Sequence, residues 1–340
     1  MDVQVSVCVL AYNHERYIAQ CLDSILAQRT SFDYEVLVRD DASTDGTVAV
    51  LREYEHRYPG KVRLILEEQN TWNNPAYTPV FGRVFAPRAR GRYLATCEGD
   101  DYWTCATKLQ RQFDYMEEHP ECGLCGHAVK IVRDGEADAK SNGGLLTCGP
   151  TERDITCDEV MELWARTTRD GIWSVHPSSC FSRIEVEQAY ARDWQLGASA
   201  GDYIRLCYFS HASTVHFMPE AMSAYRYMAA QSWTAAAEGD VDVLAKHHRG
   251  YIETMHTIDA LTDHEHHDAA MRGCRQRALL LAGMTDGMRF FKSDVGAPIA
   301  PYLTLGDYAT LAALRALNAA GLRPMRDTAT GRVHLVRIQR

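Results

Sequence analysis

Val5-Ser6-Val7-Cys8-Val9-Leu10-Ala11-Tyr12-Asn13 decides the fold: a nearly continuous apolar run, Val5 to Leu10, ends in a short polar step. A run of that length and composition suits a strand buried on both faces, as in a parallel sheet. Asn13 reads as an N-cap, and Ile18, Cys21, Leu22, Ile25 and Leu26 behind it recur at helical spacing. Tyr34 to Val38 is a second β-rich run. It ends in the polar loop Arg39-Asp40-Asp41-Ala42-Ser43-Thr44-Asp45-Gly46-Thr47, which leads into an amphipathic helix through Val48, Leu51 and Tyr54. Val62 to Leu66 and Tyr93 to Thr96 supply a third and a fourth strand. Strand, helix, strand, helix in this order predicts an α/β fold with helices on both faces of the sheet, parallel pairing and right-handed crossovers.

Ligands of open parallel sheets bind at the carboxyl ends of the strands. Here those ends carry Ala11-Tyr12-Asn13, Asp40-Asp41 and Glu98-Gly99-Asp100-Asp101. A glycine-rich GxGxxG turn is missing after the first strand, and GxxxxGK[ST] is missing throughout, so neither a dinucleotide fold nor P-loop chemistry is indicated.

The chain of 340 residues is 46% hydrophobic and 24% charged, values that exclude collagen-like, mucin-like and wholly disordered classes. A net charge of −9, from 36 basic and 45 acidic residues, argues against general nucleic-acid binding. No apolar run is long enough to span a bilayer. Met1-Asp2-Val3-Gln4 shows no secretion signal, and eleven scattered cysteines read as reduced thiols. The expected location is cytoplasmic, with peripheral membrane contact left open. Cys122-Gly123-Leu124-Cys125 lacks a second pair at zinc-site spacing.

Residues 135–155, rich in Gly, Asp, Ser and Asn, read as a loop between two halves. Residues 156–233 mix helices with short strands such as Thr214 to Met218. From about Ala235 the pattern is mainly helical, with Leu244, His248, Tyr251 and Met255 on one face, then a helix over Leu305 to Leu322 and a strand or tail over Arg332 to Ile338. The expected organisation is therefore 1–233, divided into 1–130 and 131–233, followed by a helical extension, 234–340. His247-His248 and His264-Glu265-His266-His267 contain no HExxH and read as a solvated helical face or helix-joining loop. His14 and His127 carry no functional assignment.

The chemistry concentrates in Glu98-Gly99-Asp100-Asp101-Tyr102-Trp103. Adjacent carboxylates repel unless a cation or fixed donor stabilises them, and hard oxygen ligands suit Mg²⁺ or Mn²⁺ completed by phosphate oxygens. A solvated acidic turn is the plain alternative. With Tyr12 able to stack on a base and Asp41 able to accept from an imide N–H, the three strand ends describe a nucleotide-diphosphate pocket. At these stretches, Val5 to Asn13, Glu35 to Thr47 and Glu98 to Trp103, the sequence resembles the family 2 glycosyltransferases of GT-A fold, over residues 3–233. The resemblance implies that Tyr12 and Asp41 face the nucleobase, with Ala11 and Asn13 assisting. It implies that Asp100 approaches the ribose and the metal, and that Asp101 ligates a Mn²⁺ or Mg²⁺ ion bridging both phosphates. The family pattern has Asp where this chain has Glu98, which keeps the charge and leaves that acid's role open. Lys108 and Gln112 begin the next helix and either touch the donor or lie on a solvated face.

For the acceptor side, the family's inverting members place a base at the start of a helix, and Ala198-Ser199-Ala200-Gly201-Asp202-Tyr203 fits. On local grounds alone Asp202 reads as an ordinary N-cap; the upstream motifs turn the reading to the base. His176, in His176-Pro177-Ser178-Ser179-Cys180-Phe181, is either an acceptor or phosphate contact or a structural histidine. Trp173 stacks on a sugar or packs in the core. Tyr225-Arg226-Tyr227 with Ser232-Trp233 resembles the family's arginine-containing strand and closing loop, making Arg226 the candidate cation for the departing diphosphate. The expected function is metal-dependent inverting transfer from a nucleotide-diphosphate sugar, most simply a UDP-sugar, to a hydroxyl of a glycan, lipid-linked saccharide or small molecule. A homodimer through the helical extension is a further expectation. A sugar nucleotidyltransferase and a non-catalytic nucleotide-binding protein are the alternatives; the first wants a glycine- and Lys/Arg-rich loop where Ala11-Tyr12-Asn13-His14 stands.

Overall fold

A computed structural model describes residues 2–71, 74, 79–133, 136–137, 144–162, 175–193, 201–227, 241–285, 287–320, 322–326 and 333–337. Its strands are β1 (Val3–Ala11), β2 (Asp33–Asp40), β3 (Val62–Leu66), β4 (Tyr93–Glu98), β5 (Tyr102–Trp103), β6 (Cys122–Arg133), β7 (Glu136–Ala137), β8 (Leu145–Leu146), β9 (Arg153–Ile155), β10 (Phe181–Arg183), β11 (Thr214–Arg226), β12 (Leu322–Arg326) and β13 (Val333–Arg337). The main helices are α1 (Ile18–Leu26), α2 (Thr47–Arg57), α3 (Lys108–Glu118), α4 (Ile184–Asp193), α5 (Gly201–Ala212), α6 (Val241–Leu261), α7 (His267–Met284) and α8 (Leu305–Ala319).

The central sheet runs β3-β2-β1-β4-β10-β6-β11-β5. Its first four strands are all parallel, as expected from the alternating pattern. The departure comes at β10, which lies antiparallel between β4 and β6 and so sews the two halves into one sheet. Alternation along β1 explains the two-sided burial. Val5, Val7 and Val9 pack with Ile18, Leu22 and Ile25 of α1, Leu51 of α2 and Leu109 of α3. Cys8 faces the other way, with Leu37, Leu94, Phe81 and Phe85. The run between the halves, 135–155, is not only loop: its short strands β8 and β9 pair with β6 and β11.

The C-terminal helices do not stand apart from the sheet. Tyr251, Ile252 and Met255 of α6, Cys274 and Ala278 of α7, and Leu311 of α8 share one core with Leu124, Val215, Phe217 and Tyr203. No helix among the described residues is long and apolar enough to cross a membrane.

Strand β11 carries the feature that matters most for the site. Its pairing with β6 slips between Met218 and Ala221 and again before Ser223. Pro219 stands in that interval and has no N–H for the ladder. Such bulges bend and re-aim a strand, and beyond this one β11 pairs with β5, Ser223 opposite Trp103 and Ala224 opposite Tyr102. The end of β11 is thereby laid over the acidic turn between β4 and β5.

Candidate active site

The carboxyl ends of β1, β2 and β4 form a connected rim. Asn13 is not a helix cap: α1 begins only at Ile18, after Tyr17, and Asn13 sits at φ 55°. Its side chain instead accepts from the Thr44 N–H at 2.7 Å, and its own N–H donates to Ser43 Oγ at 2.8 Å. The Asp41 N–H donates to the Ala11 carbonyl at 2.9 Å, and the His14 N–H to Thr47 Oγ1 at 2.8 Å. The loops after β1 and β2 are thus one unit, with Ala42 also in the left-handed region at φ 62°. Non-glycine residues held there mark a backbone over-determined by its surroundings. From this unit Tyr12 projects, 40% exposed.

Asp41 is buried beside it. Oδ1 accepts from Arg39 Nη2 at 3.0 Å, the Thr71 N–H at 3.0 Å and Thr71 Oγ1 at 2.6 Å. Among the described residues Oδ2 carries no hydrogen bond, leaving one acceptor.

Gly99 is required by close approach. Its N–H donates to the Leu10 carbonyl at 2.8 Å, and a Cβ there would lie 2.6 Å from His14 Nδ1 and 2.7 Å from that carbonyl. The turn it permits presents Asp100 and Asp101. Asp101 is 1% exposed, and both carboxylate oxygens are engaged: Oδ2 accepts from Ser178 Oγ, and Oδ1 accepts from the Arg226 N–H at 3.0 Å. Burial, with the Asp100 charge, still holds its carboxyl well above the usual range against the opposing pull of Ser178 and Arg226. Glu98 is raised likewise, by burial first and then by the charges of Asp202, Asp100 and Asp101. Asp100 lies 4.0 Å from His14 Nε2. His14, given no role on sequence, therefore belongs to the rim, and its Nδ1 is buried without a hydrogen-bond partner.

Ser178 is the residue that sequence reasoning quoted without using. Its hydroxyl binds Asp101 and accepts from the Glu98 N–H at 3.1 Å, and its carbonyl accepts from Trp103 Nε1 at 3.1 Å. The Pro177 beside it starts a 3₁₀ turn over Pro177–Ser179 that aims the hydroxyl at the acids; that turn is the signal in the sequence. His176 caps the turn, with Nδ1 accepting from the Ser178 N–H at 3.2 Å and lying 3.9 Å from Asp101 Oδ2. Burial drives its pKa down to about 3, so the ring is neutral.

Arg226 closes the site from β11. Its guanidinium donates to the Asp100 carbonyl and to Gln20 Oε1, and lies 5.0 Å from the Tyr17 ring centroid and 4.8 Å from that of Tyr102. Asp202 arrives on the first turn of α5, exposed at its edge and lining a small cavity with Val175, Pro177, Cys180 and Arg205. The protein packed around it raises its carboxyl, with Arg205 opposing. Its charge also contributes to raising Glu98, after burial.

Lys108 and Gln112 correct the sequence reading: they are neither rim nor solvated face. Both are fully buried, with Lys108 Nζ donating to Gln112 Oε1 at 2.7 Å, 4.1 Å from the Trp103 ring centroid. Gln112 Nε2 donates in turn to the Ser179 carbonyl at 2.9 Å, so the pair braces the wall behind Ser178. Burial lowers the Lys108 pKa to about 8. Trp173 and Trp233 lie outside the described residues.

The acids suit a divalent cation. Three carboxylates converge at a turn with two of them raised by burial and mutual repulsion, which an added positive charge relieves. Four parallel strands with an acidic turn at their carboxyl edge and a facing arginine are the arrangement of the GT-A class. Residues 6–161 match the family model described as Glycosyl transferase family 2, and this segment of the chain is a member of that family. An uncharacterised protein of Mycobacterium tuberculosis is 34% identical over 235 residues, 68% of this chain and 61% of that protein. The match thus spans less than two thirds of that relative's length. Among solved structures, S. aureus TarS 1–349 in complex with UDP-GlcNAc aligns with a TM-score of 0.57 at 17% identity, covering 92% of this chain and 79% of that one. The Pyrobaculum calidifontis mannosyltransferase PcManGT, in complex with GDP-Man and Mn²⁺, aligns at 0.50 and 14% identity, covering 94% and 88%. Both likenesses establish the GT-A fold.

Proposed function

We propose that this chain transfers a sugar, with inversion, from a nucleotide-diphosphate donor to an acceptor hydroxyl. The observation that carries the reading is the place of Asp202: it lines a cavity with Pro177 and Cys180, on either side of Ser178, whose hydroxyl holds Asp101 of the acidic turn. A base and a donor site must face each other across the reacting carbon, and in this reading Asp202 approaches the acidic turn from the second half of the sheet. In this reading residues 1–130 bind the donor, 131–233 supply the acceptor side, and 234–340 form the helical region packed beneath it.

Tyr12 stacks on the base, and the free Oδ2 of Asp41 accepts the imide N–H, a pairing that favours uracil; the TarS complexes with UDP-GlcNAc and UDP support that choice. Ala11 and Asn13 shape the nucleobase loop. Asp100 faces the ribose and, with Asp101, would hold Mn²⁺ or Mg²⁺, an assignment that the Mn²⁺ complex of PcManGT supports. When bound, the cation supplies charge neutralisation of the diphosphate. Arg226 balances the charge that develops on the leaving diphosphate as the bond breaks. Asp202 accepts the acceptor's proton as the hydroxyl attacks the anomeric carbon from the face opposite the nucleotide, a single displacement. An α-linked donor then gives a β-linked product.

Thermal unfolding with UDP, GDP, TDP, CDP and ADP, each with Mn²⁺ and with EDTA, tests the donor site. A ligand that binds only the native state raises Tm. A rise with UDP that needs the metal and vanishes in Asp101→Ala is the expected result. Folded protein that shifts with no nucleotide overturns the assignment.

A further inference from the structure

Outside the sugar site, the turn joining α6 to α7 gathers a second set of titratable groups. Asp259, in the last turn of α6, is 3% exposed. Its Oδ2 accepts from His264 Nδ1 at 2.9 Å and His267 Nδ1 at 2.8 Å. Its other oxygen, Oδ1, is buried with no hydrogen-bond partner. One oxygen carrying two imidazoles while its twin has none is a poor use of a buried carboxylate, which ordinarily has all its lone pairs served. One helical turn earlier, His256 Nε2 is also buried and unpartnered.

We propose that Asp259, His264 and His267 form a binding site for a divalent transition-metal ion of the Zn²⁺ type, pinning the end of α6 to the start of α7. The ligand atoms of the three residues lie within 4.8 Å of one another. Two imidazole nitrogens and a carboxylate suit Zn²⁺, whereas Mg²⁺ prefers an all-oxygen shell such as the acidic turn offers. The chain would then discriminate between two cations by donor chemistry. Tetrahedral ligands around Zn²⁺ stand roughly 3.3 Å apart. The two Asp259 contacts therefore need to open by only a few tenths of an ångström, with both Nδ1 atoms turning lone pairs rather than protons inward. An ion there also gives Oδ1 a partner. The His264 and His267 side chains are 66% and 41% exposed, so a fourth position stays open to water and the ion has a route in.

A neighbouring group, His211, Glu265 and His266, is also close enough to hold an ion. Its nitrogens are satisfied differently: His266 Nδ1 pairs with Asp158 Oδ1 at 2.6 Å, and among the described residues none of its three members has a buried, unpartnered side-chain atom. That contrast directs the proposal to Asp259.

The test is metal titration of the full chain after EDTA treatment, with Zn²⁺ and with Co²⁺ as a spectroscopic substitute. One retained equivalent of Zn²⁺, intense visible bands of tetrahedral Co²⁺ and a Zn²⁺-dependent rise in Tm are expected. His264→Gln and His267→Gln, both at exposed rings, should each weaken Zn²⁺ binding at least about tenfold and remove the Co²⁺ bands, with the metal-free Tm little changed. Asp259→Asn should do the same with some loss of stability. His211→Gln and Asp101→Ala should leave this binding intact. Folded protein that retains no Zn²⁺, binding indifferent to His264 and His267, or binding lost with His211→Gln or Asp101→Ala overturns the proposal. Because Asp101→Ala silences only the donor site, its failure and that of the sugar-transfer reading are read separately.

Discussion

The main-chain N–H of Arg226 donates to Oδ1 of Asp101 at 3.0 Å, joining residues 125 positions apart. That bond is made by backbone, so it survives replacement of the arginine. The side chain acts elsewhere, on the Asp100 carbonyl and between Tyr17 and Tyr102. Arg226→Ala should therefore keep the acidic turn in place and lower kcat by about 10²–10³-fold, the usual effect of deleting one transition-state donor. Arg226→Lys should recover little, lacking the planar fork. Steady-state kinetics beside calorimetric Kd values for UDP check this. A Kd that worsens as much as kcat falls would place the arginine's contribution in the ground state instead.

Ser178 holds both ends of the acidic segment, at Asp101 Oδ2 and the Glu98 N–H, and is fully buried. Ser178→Ala leaves a buried carboxylate oxygen and an amide unserved, at about 1–3 kcal/mol. Since that hydroxyl also lowers the Asp101 pKa, its loss should push the carboxyl higher and weaken Mn²⁺ binding more at pH 6.5 than at pH 8. Urea midpoints and Mn²⁺ titrations at both pH values measure the two effects. An unchanged midpoint would mean that water replaces the hydroxyl.

The parallel half of the sheet was legible because β1, β2 and β4 each read as a short apolar run followed by a polar step, a local pattern. What local pattern does not carry is the partner of a side chain. Lys108 and Gln112 look like solvated helix residues, yet they serve each other in the interior, a pairing at helical spacing whose burial depends on β6 and Ser179. Asn13 looks like a cap, but its acceptor goes to Thr44, brought there by the β1–β2 register. Ser178 and His14 were passed over for the same reason: each acquires its role only when a distant segment arrives.

Asp202→Asn conserves the shape of the first turn of α5 while removing the base. Turnover should fall by about 10²–10⁴-fold, with UDP affinity changed far less, because Asp202 reaches the site from the acceptor side. NMR of the product from an α-linked donor should show a β linkage in the wild-type reaction. Near-normal turnover in folded Asp202→Asn, or retention of configuration, would sink the assignment of the base.

Glu98 gives the pH prediction its sign. Its carboxyl is raised in the folded chain, by burial and then by Asp202, Asp100 and Asp101, so the folded state binds its proton more tightly than the unfolded state does. The metal-free protein then loses stability as pH climbs from the unfolded carboxyl value of about 4.3 through the raised one. Buried neutral histidines act oppositely: His176, lowered to about 3 by burial, costs stability as pH falls below about 6.5. Comparing Glu98→Gln with wild type cancels that histidine contribution. The variant should be more stable at pH 8, by on the order of 1 kcal/mol as for other charges kept for function, and the gap should shrink steadily toward pH 5. Saturating Mn²⁺ and UDP should narrow the same gap at pH 8 by neutralising the cluster. Melting curves over pH 5–8 with and without ligand decide it, and a gap independent of pH would show that the Glu98 charge is not under strain.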